Sequence, residues 1–175
     1  MEKVKAFCKR KNIEISVKRY LIDALGAMAQ GLFASLLIGT IISTLGTQLN
    51  IPILVTVGTY AKAAVGPAMA IAIGYALQAA PLVLFSLAAV GAAANELGGA
   101  GGPLAVLVVA IFASELGKAV SKETKIDIIV TPFVTIFVGV ALSIWWAPAI
   151  GAAASAVGNA IMCCLLYTSP SPPRD

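Results

Sequence analysis

The chain has 175 residues, 59% of them hydrophobic and 11% charged, with a mean hydropathy of +0.95. A soluble domain carries about 25% charged residues, so this chain cannot clothe a water-facing surface, and its apolar content excludes intrinsic disorder. Seven of the twelve Lys and Arg fall within residues 1–19, whereas Tyr20 to Gly117 holds only Asp23, Lys62, Glu96 and Glu115. The pI of 9.1 therefore describes a basic tail rather than a basic face, which excludes a nucleic-acid-binding domain. The composition predicts an all-α fold, a polytopic transmembrane helical bundle lying in a lipid bilayer.

Residues 1–19 are too charged for a signal peptide, and the apolar run that follows exceeds twenty residues without a small-residue cleavage site. They read as a basic cytoplasmic tail, and 20–162 as the transmembrane domain. Leu21 to Leu45 is the first span, and Ala27, Gly31, Ser35, Gly39 and Ser43 recur along it at every fourth position. Small residues at that spacing face another helix rather than lipid. Ala64, Ala68, Ala72, Ala76 and Ala80 repeat the device within a second expected span, Ala63 to Ala80.

Pro81 to Ala94 supplies fourteen apolar residues, short for a crossing and suited to a broken or re-entrant helix. It leads into Asn95-Glu-Leu-Gly-Gly-Ala-Gly-Gly-Pro103, too glycine-rich for a regular helix. Leu104 to Val120 forms a further span. The loop 118–125 carries Lys118, Lys122 and Lys125, so the positive-inside rule sets it on the cytoplasmic side with the N-terminus. An even number of crossings must then separate the two, which requires Pro81 to Glu96 to cross rather than re-enter.

The last span begins at Thr124-Lys-Ile-Asp127, a capping-box pattern, or at Thr131-Pro132. It is expected to end near Trp145 and Trp146, residues suited to a membrane–water interface, with a further helix starting over Gly151 to Met162. Residues 163–175 resemble a translated sequencing adapter. They are expected to contribute nothing to the fold, the protein continuing beyond them as a longer chain.

Chemistry has few places to reside. Cys8, Cys163 and Cys164 imply no disulfide framework. Histidine is absent, which removes the commonest metal ligand, serine–histidine catalysis and any phosphohistidine carrier on this chain. The glycines at 98–102 lack the lysine of a phosphate loop. No catalytic residue, metal site or cofactor is expected. Carboxylates within membrane segments are costly and mark functional sites by default. Asp23, four residues after Arg19, reads as half of a structural ion pair. Glu115, three residues before Lys118, reads equally as a paired or snorkelling side chain and as a solute ligand.

Glu96 follows Asn95 and precedes the glycine run. Irregular backbone at membrane depth survives where it lines a cavity, and a carboxylate beside an amide can bond vicinal hydroxyls. Asn95, Glu96, Gly98, Gly99, Gly101 and Gly102, with Glu115, are therefore the candidate substrate-binding residues for a sugar-like small solute. A flexible external loop is the alternative.

The run Asn12-Ile-Glu-Ile-Ser-Val-Lys-Arg-Tyr-Leu-Ile-Asp-Ala-Leu-Gly-Ala-Met-Ala-Gln-Gly-Leu-Phe33 resembles the start of IIC membrane subunits of the bacterial phosphotransferase system. Asn95 to Pro103 and Gly117-Lys-Ala-Val-Ser-Lys-Glu-Thr-Lys-Ile-Asp-Ile-Ile-Val-Thr-Pro132 carry the same likeness, which covers about residues 1–162 and one stand-alone IIC-like branch. The resemblance implies a sugar permease of the bacterial inner membrane, multi-pass with its N-terminus cytoplasmic, and a homodimer. A cytoplasmic IIB partner, charged by IIA, would phosphorylate the solute that the IIC subunit presents. Phosphate carriers then lie on other subunits. No stretch matches the substrate-glutamate motif of glucose-type IIC proteins, so the role given to Glu96 rests on its own surroundings. A regulatory or non-sugar transport role, or a purely structural subunit, are the rival readings.

Overall fold

Lipid offers no hydrogen bonds, so an apolar chain must satisfy its backbone within each segment, and helices do this. The computed structural model describes residues 18–121 and 127–168, and every regular element among them is helical. Helix α1, Ala24–Gln48, follows a π-helical turn at Lys18–Asp23 and widens again at Phe33–Leu37. Asn50, with φ at 57°, ends it, and the amide of Ile51 donates back to the Gly46 carbonyl at 2.9 Å. That left-handed residue with a six-to-one bond is a helix stop, and Pro52 opens the next helix where its missing N–H costs nothing. Helices α2, Pro52–Ala63, and α3, Val65–Ala76, meet at Ala64 with a bend of 46°. Pro67 explains the break, because its ring excludes the carbonyl four residues back.

Helix α3 stops as α1 does, with Gln78 at φ 56° and the Ala79 amide donating to the Gly74 carbonyl at 2.9 Å. Pro81 then opens α4, Pro81–Gly98. One 3-10 turn, Gly99–Gly101, joins it to α5, Gly102–Val120, and α6 runs over Asp127–Thr168.

Glycines record how these helices run. A side chain at Gly46 would strike Val55, at Gly39 the Gly58 carbonyl, and at Gly31 the Ala68 carbonyl. The α2–α3 pair therefore returns antiparallel along α1, and the small-residue face expected on α1 does pack against protein. Gly66 and Gly91 touch backbone to backbone, and Gly74 meets Leu84 and Leu87, so α4 runs antiparallel to α3. Gly117 lies on Val83 and Thr135, which folds α5 back along α4 and sets α6 beside both. The fully buried core lies between them: Met69, Ile73 and Leu77 of α3 and its end, Val83, Leu87 and Val90 of α4, and Val106, Val109 and Ala110 of α5.

Three stretches are long and apolar enough to cross a membrane, Ala24–Gln48, Pro81–Val120 and Asp127–Met162, with the bent α2–α3 pair as a fourth. Pro81–Val120 is a hairpin rather than one rod, because Gly117 reaches Val83. Its legs of 18 and 19 residues each measure about 27 Å, close to one hydrocarbon core. With the bent pair counted as one and each hairpin leg as one, four candidate spans lie between the start of α1 and the end of α5, and those two points share one end of the bundle, the tail end. The glycine turn at 99–101 marks the opposite, turn end. Pro81 to Gly98 runs as one helix from the tail end to the glycine turn.

Two sequence expectations are corrected. The second pass is not Ala63 to Ala80 but Pro52–Ala76 broken at Ala64, since the apolar run begins at Ile51 and Lys62 falls inside it. The last helix does not end at Trp145 and Trp146. Trp145 is 80% exposed, Trp146 stands edge-on to Phe112 at 5.2 Å, and the helix continues through Pro148 and Gly151. A tryptophan pair suits an interface without stopping a helix. The capping-box Thr124 lies outside the described residues, as does the basic tail before Lys18.

Gly91→Val should destabilise the fold by at least about 2 kcal/mol, since overpacking a close contact costs that much even where side chains can yield, and here the neighbours are the Gly66 backbone and the Ala70 Cβ. Gly26→Ala, where nothing lies within 4 Å, should leave the melting temperature in detergent unchanged. Equal melting of the two variants would refute the close contact.

Candidate functional site

Two discontinuities lie near each other toward the turn end. One is the bend at Ala64, midway along the α2–α3 pair, the other the glycine turn at 99–101, and Asn95 lies between them. A side chain at Gly66 would meet the Asn95 Cβ at 2.8 Å, and one at Gly102 the Asn95 Oδ1 at 2.7 Å. The half-buried amide is thereby wedged between the first turn of α3 and the first residue of α5. Glu96, the next residue, is exposed. Lys62 stands across the Ala64 break and leans toward α1, its Nζ donating to Ser43 Oγ at 3.4 Å. Broken helices free backbone donors and acceptors for a solute, and here two breaks supply them beside a carboxylate and an amide.

The glycines of the run have distinct duties. Gly99 has φ 49° and ψ −120° with open space around it, a conformation that side chains disfavour. Gly102 does not need positive φ, since it is helical at φ −47°; it must be small because Asn95 lies against it. Gly98 packs on Ala105 and gives its carbonyl surface to Gly151, while Gly101 meets Gly151 and Ala154. Gly98 and Gly101 therefore seat α6 on the turn.

Glu115 does not join this cluster. It lies thirteen residues along α5 from Gly102, about 20 Å away, near the tail end. Its Oε1 is 2.6 Å from the Lys118 Nζ, an ion pair by distance that is not aligned as a hydrogen bond, and its Oε2 has no hydrogen-bond partner among the described residues. Lys118 is 4% exposed and its Nζ donates to the Leu77 carbonyl at 3.1 Å, across forty-one residues of sequence. Of the two readings of Glu115, this geometry is the paired one. Asp23 is exposed at the start of α1, and the side chain of Arg19 lies outside the described ones.

Sequence reading did not reveal the Ala64 break or the burial of Lys118. Pro67, three residues past Ala64, is the signal for the first. For the second, only the i, i+3 spacing of Glu115 and Lys118 is informative. Buried hydroxyls at Ser86, Ser114, Thr135 and Ser143 each donate to a carbonyl of their own helix, so they pack without offering a free donor. A surface cavity of about 480 Å³ lined by Tyr75, Ala76, Gln78, Ala79 and Leu84 opens at the tail end, away from Asn95 and Glu96. Among the described residues no cluster of His, Cys, Asp and Glu could hold a metal ion.

Gly99→Ala should lower stability by about 1–3 kcal/mol through backbone strain alone. Gly99→Val should cost no more than a fraction above that, since no neighbour is within 4 Å. A melting temperature in detergent unchanged by Gly99→Ala would show that the turn tolerates another conformation.

The family described as Phosphotransferase system, EIIC matches residues 22–169, a range that contains both breaks, Asn95, Glu96 and the Glu115–Lys118 pair. No curated protein and no solved structure gives a match.

Proposed function

The chain belongs to the EIIC family of the phosphotransferase system, and from that premise we propose that it binds a sugar-like solute and carries it across the membrane for phosphorylation by a cytoplasmic IIB protein. Membership makes it a membrane permease component, in keeping with helices apolar enough to span a bilayer. The observation that carries the finer reading is the pairing of two helix breaks around Asn95, with an exposed carboxylate next to it. In this reading Asn95 and Glu96 contact the solute hydroxyls, Gly99 sets the turn, and Gly98, Gly101 and Gly102 hold the turn against α6 and Asn95. With no histidine the chain holds no phosphohistidine carrier, and in this reading the phosphoryl group comes from other subunits. IIB, charged by IIA, supplies it at the tail end. The protein lies in the bacterial inner membrane as a homodimer.

Replacing Glu96 with Gln keeps its size and removes its charge. A hydrogen bond to a charged group is worth about 1.5–3 kcal/mol, so solute binding should weaken roughly ten- to hundred-fold. The measurement is phosphoenolpyruvate-dependent uptake across a solute series, normalised to the amount of protein in the membrane. Wild-type uptake by both Glu96→Gln and Glu96→Ala would reduce the segment to an external loop.

Orientation is tested separately. The lysine distribution sets the N-terminus and the 118–125 loop in the cytoplasm. Single cysteines at Lys5 and Lys122 of a variant lacking Cys8, Cys163 and Cys164 should both resist an impermeant thiol reagent added outside intact cells. Labelling of either would overturn this orientation.

A further inference from the structure

We propose that Lys118 is a polar clasp that holds the tail end of the bundle shut, and that releasing it opens the solute's exit. The inference rests on the permease reading in needing a route through the bundle. Beneath Asn95 the interior is filled: Met69, Ile73, Leu87, Val90, Val106, Val109, Ala110 and Ala113 have no exposed surface. Two elements must part for anything to pass.

Most of the α3–α5 contact is apolar packing, which fixes the spacing of the helices without a directional bond. Lys118 adds a directional one. Its Nζ crosses from the last turn of α5 to the Leu77 carbonyl, at the end of α3 just before the Gln78 stop. A cation there also suits the negative end of the α3 dipole. Glu115 neutralises it from one turn away at 2.6 Å.

This arrangement is poorly built as a permanent staple. A buried ion pair adds stability only when its remaining atoms are satisfied, and the second Glu115 oxygen is buried with no hydrogen-bond partner among the described residues. A tie that leaves buried carboxylate oxygens without hydrogen bonds regains partners from water when it opens, which offsets part of the cost of breaking it, as a gate requires. The turn it holds is also the floor of the Tyr75, Gln78 and Leu84 cavity, so release would widen an opening already present at that end.

The test reads accessibility rather than uptake. In a variant lacking Cys8, Cys163 and Cys164, a single cysteine replaces Ala79, which is 9% exposed beside the clasp, and in a second version Ala110, which is buried in mid-α5. Maleimide labelling is followed in open membrane fragments, where both faces are reached. Adding Glu115→Gln or Lys118→Met should speed labelling at Ala79→Cys about tenfold or more, the opening penalty that a hydrogen bond to a charged group carries, with labelling at Ala110→Cys unchanged. Unchanged labelling at Ala79→Cys in both variants, or equal acceleration at both reporters, would overturn the proposal, the first showing closure by packing alone and the second general loosening. If Lys118→Met does not insert, Glu115→Gln decides. Glu96→Gln should leave Ala79→Cys labelling as it is, so failure of the solute site and failure of the clasp give different results.

Discussion

The contact on which the bundle depends is the one between Gly66 and Gly91, where two backbones meet with no side chain between them. In lipid there is no hydrophobic gain from bringing two apolar helices together, so their association rests on close van der Waals packing. Glycine and alanine permit that approach, and the same device recurs at Gly31 with Ala68, Gly39 with Gly58 and Gly98 with Gly151. Each helix is thereby tied to the next through small residues. The Gly66–Gly91 tie matters most, because it sets the Ala64 break beside the last turn of α4. Without it Asn95 would face lipid and the two discontinuities would be unrelated.

The two ends of the bundle handle polarity in opposite ways. At the turn end the polar groups face outward or sit in a break, with Glu96 exposed and Asn95 half-buried between backbones. At the tail end they are buried and tied to each other, Lys118 to Glu115 and to Leu77. Between them lies an apolar core with no charged side chain. Under the proposed solute site, entry would be where hydrogen-bonding groups are accessible, and opening the other end would draw on differential binding in the two states.

Much of this was legible in the sequence, for reasons that can be named. The every-fourth-residue row on α1 survives any error in helix ends, and Gly31, Ser35 and Gly39 are buried as it requires. Lysine parity asks for an even number of crossings from charge alone, and four apolar segments of spanning length before the end of α5, with the bent pair counted as one and each hairpin leg as one, are compatible with it. The Ala64 break was hidden because Pro67 sits in the first turn of α3, where a proline looks unremarkable until the preceding helix is known to exist. The glycines at 98, 101 and 102 resemble a loop in composition. Their need to be small arises from α6 and Asn95, partners that no local window contains. Trp145 and Trp146 misled because an interfacial residue reports its depth, not the fate of its helix.

Glu96 and Glu115 show why residue type alone could not separate an accessible carboxylate from an engaged one. Both are lone carboxylates in apolar sequence, and both qualify by the rule that membrane carboxylates are functional. What distinguishes them is the company the fold gives each. Glu115 has a cation three residues on, on the same helix face, so its charge is met within α5 before any solute arrives, although neither of its oxygens has a hydrogen-bond partner among the described residues. Glu96 has a glycine turn ahead of it and an open side, so its carboxylate remains available to a hydroxyl from outside. A buried, neutralised carboxylate can act only by moving, because binding a solute would first require breaking its ion pair. An exposed carboxylate beside a rigid turn can act without moving. The chemistry available to each follows from that difference: an accessible carboxylate at the turn end and an engaged one at the tail end of one α4–α5 hairpin.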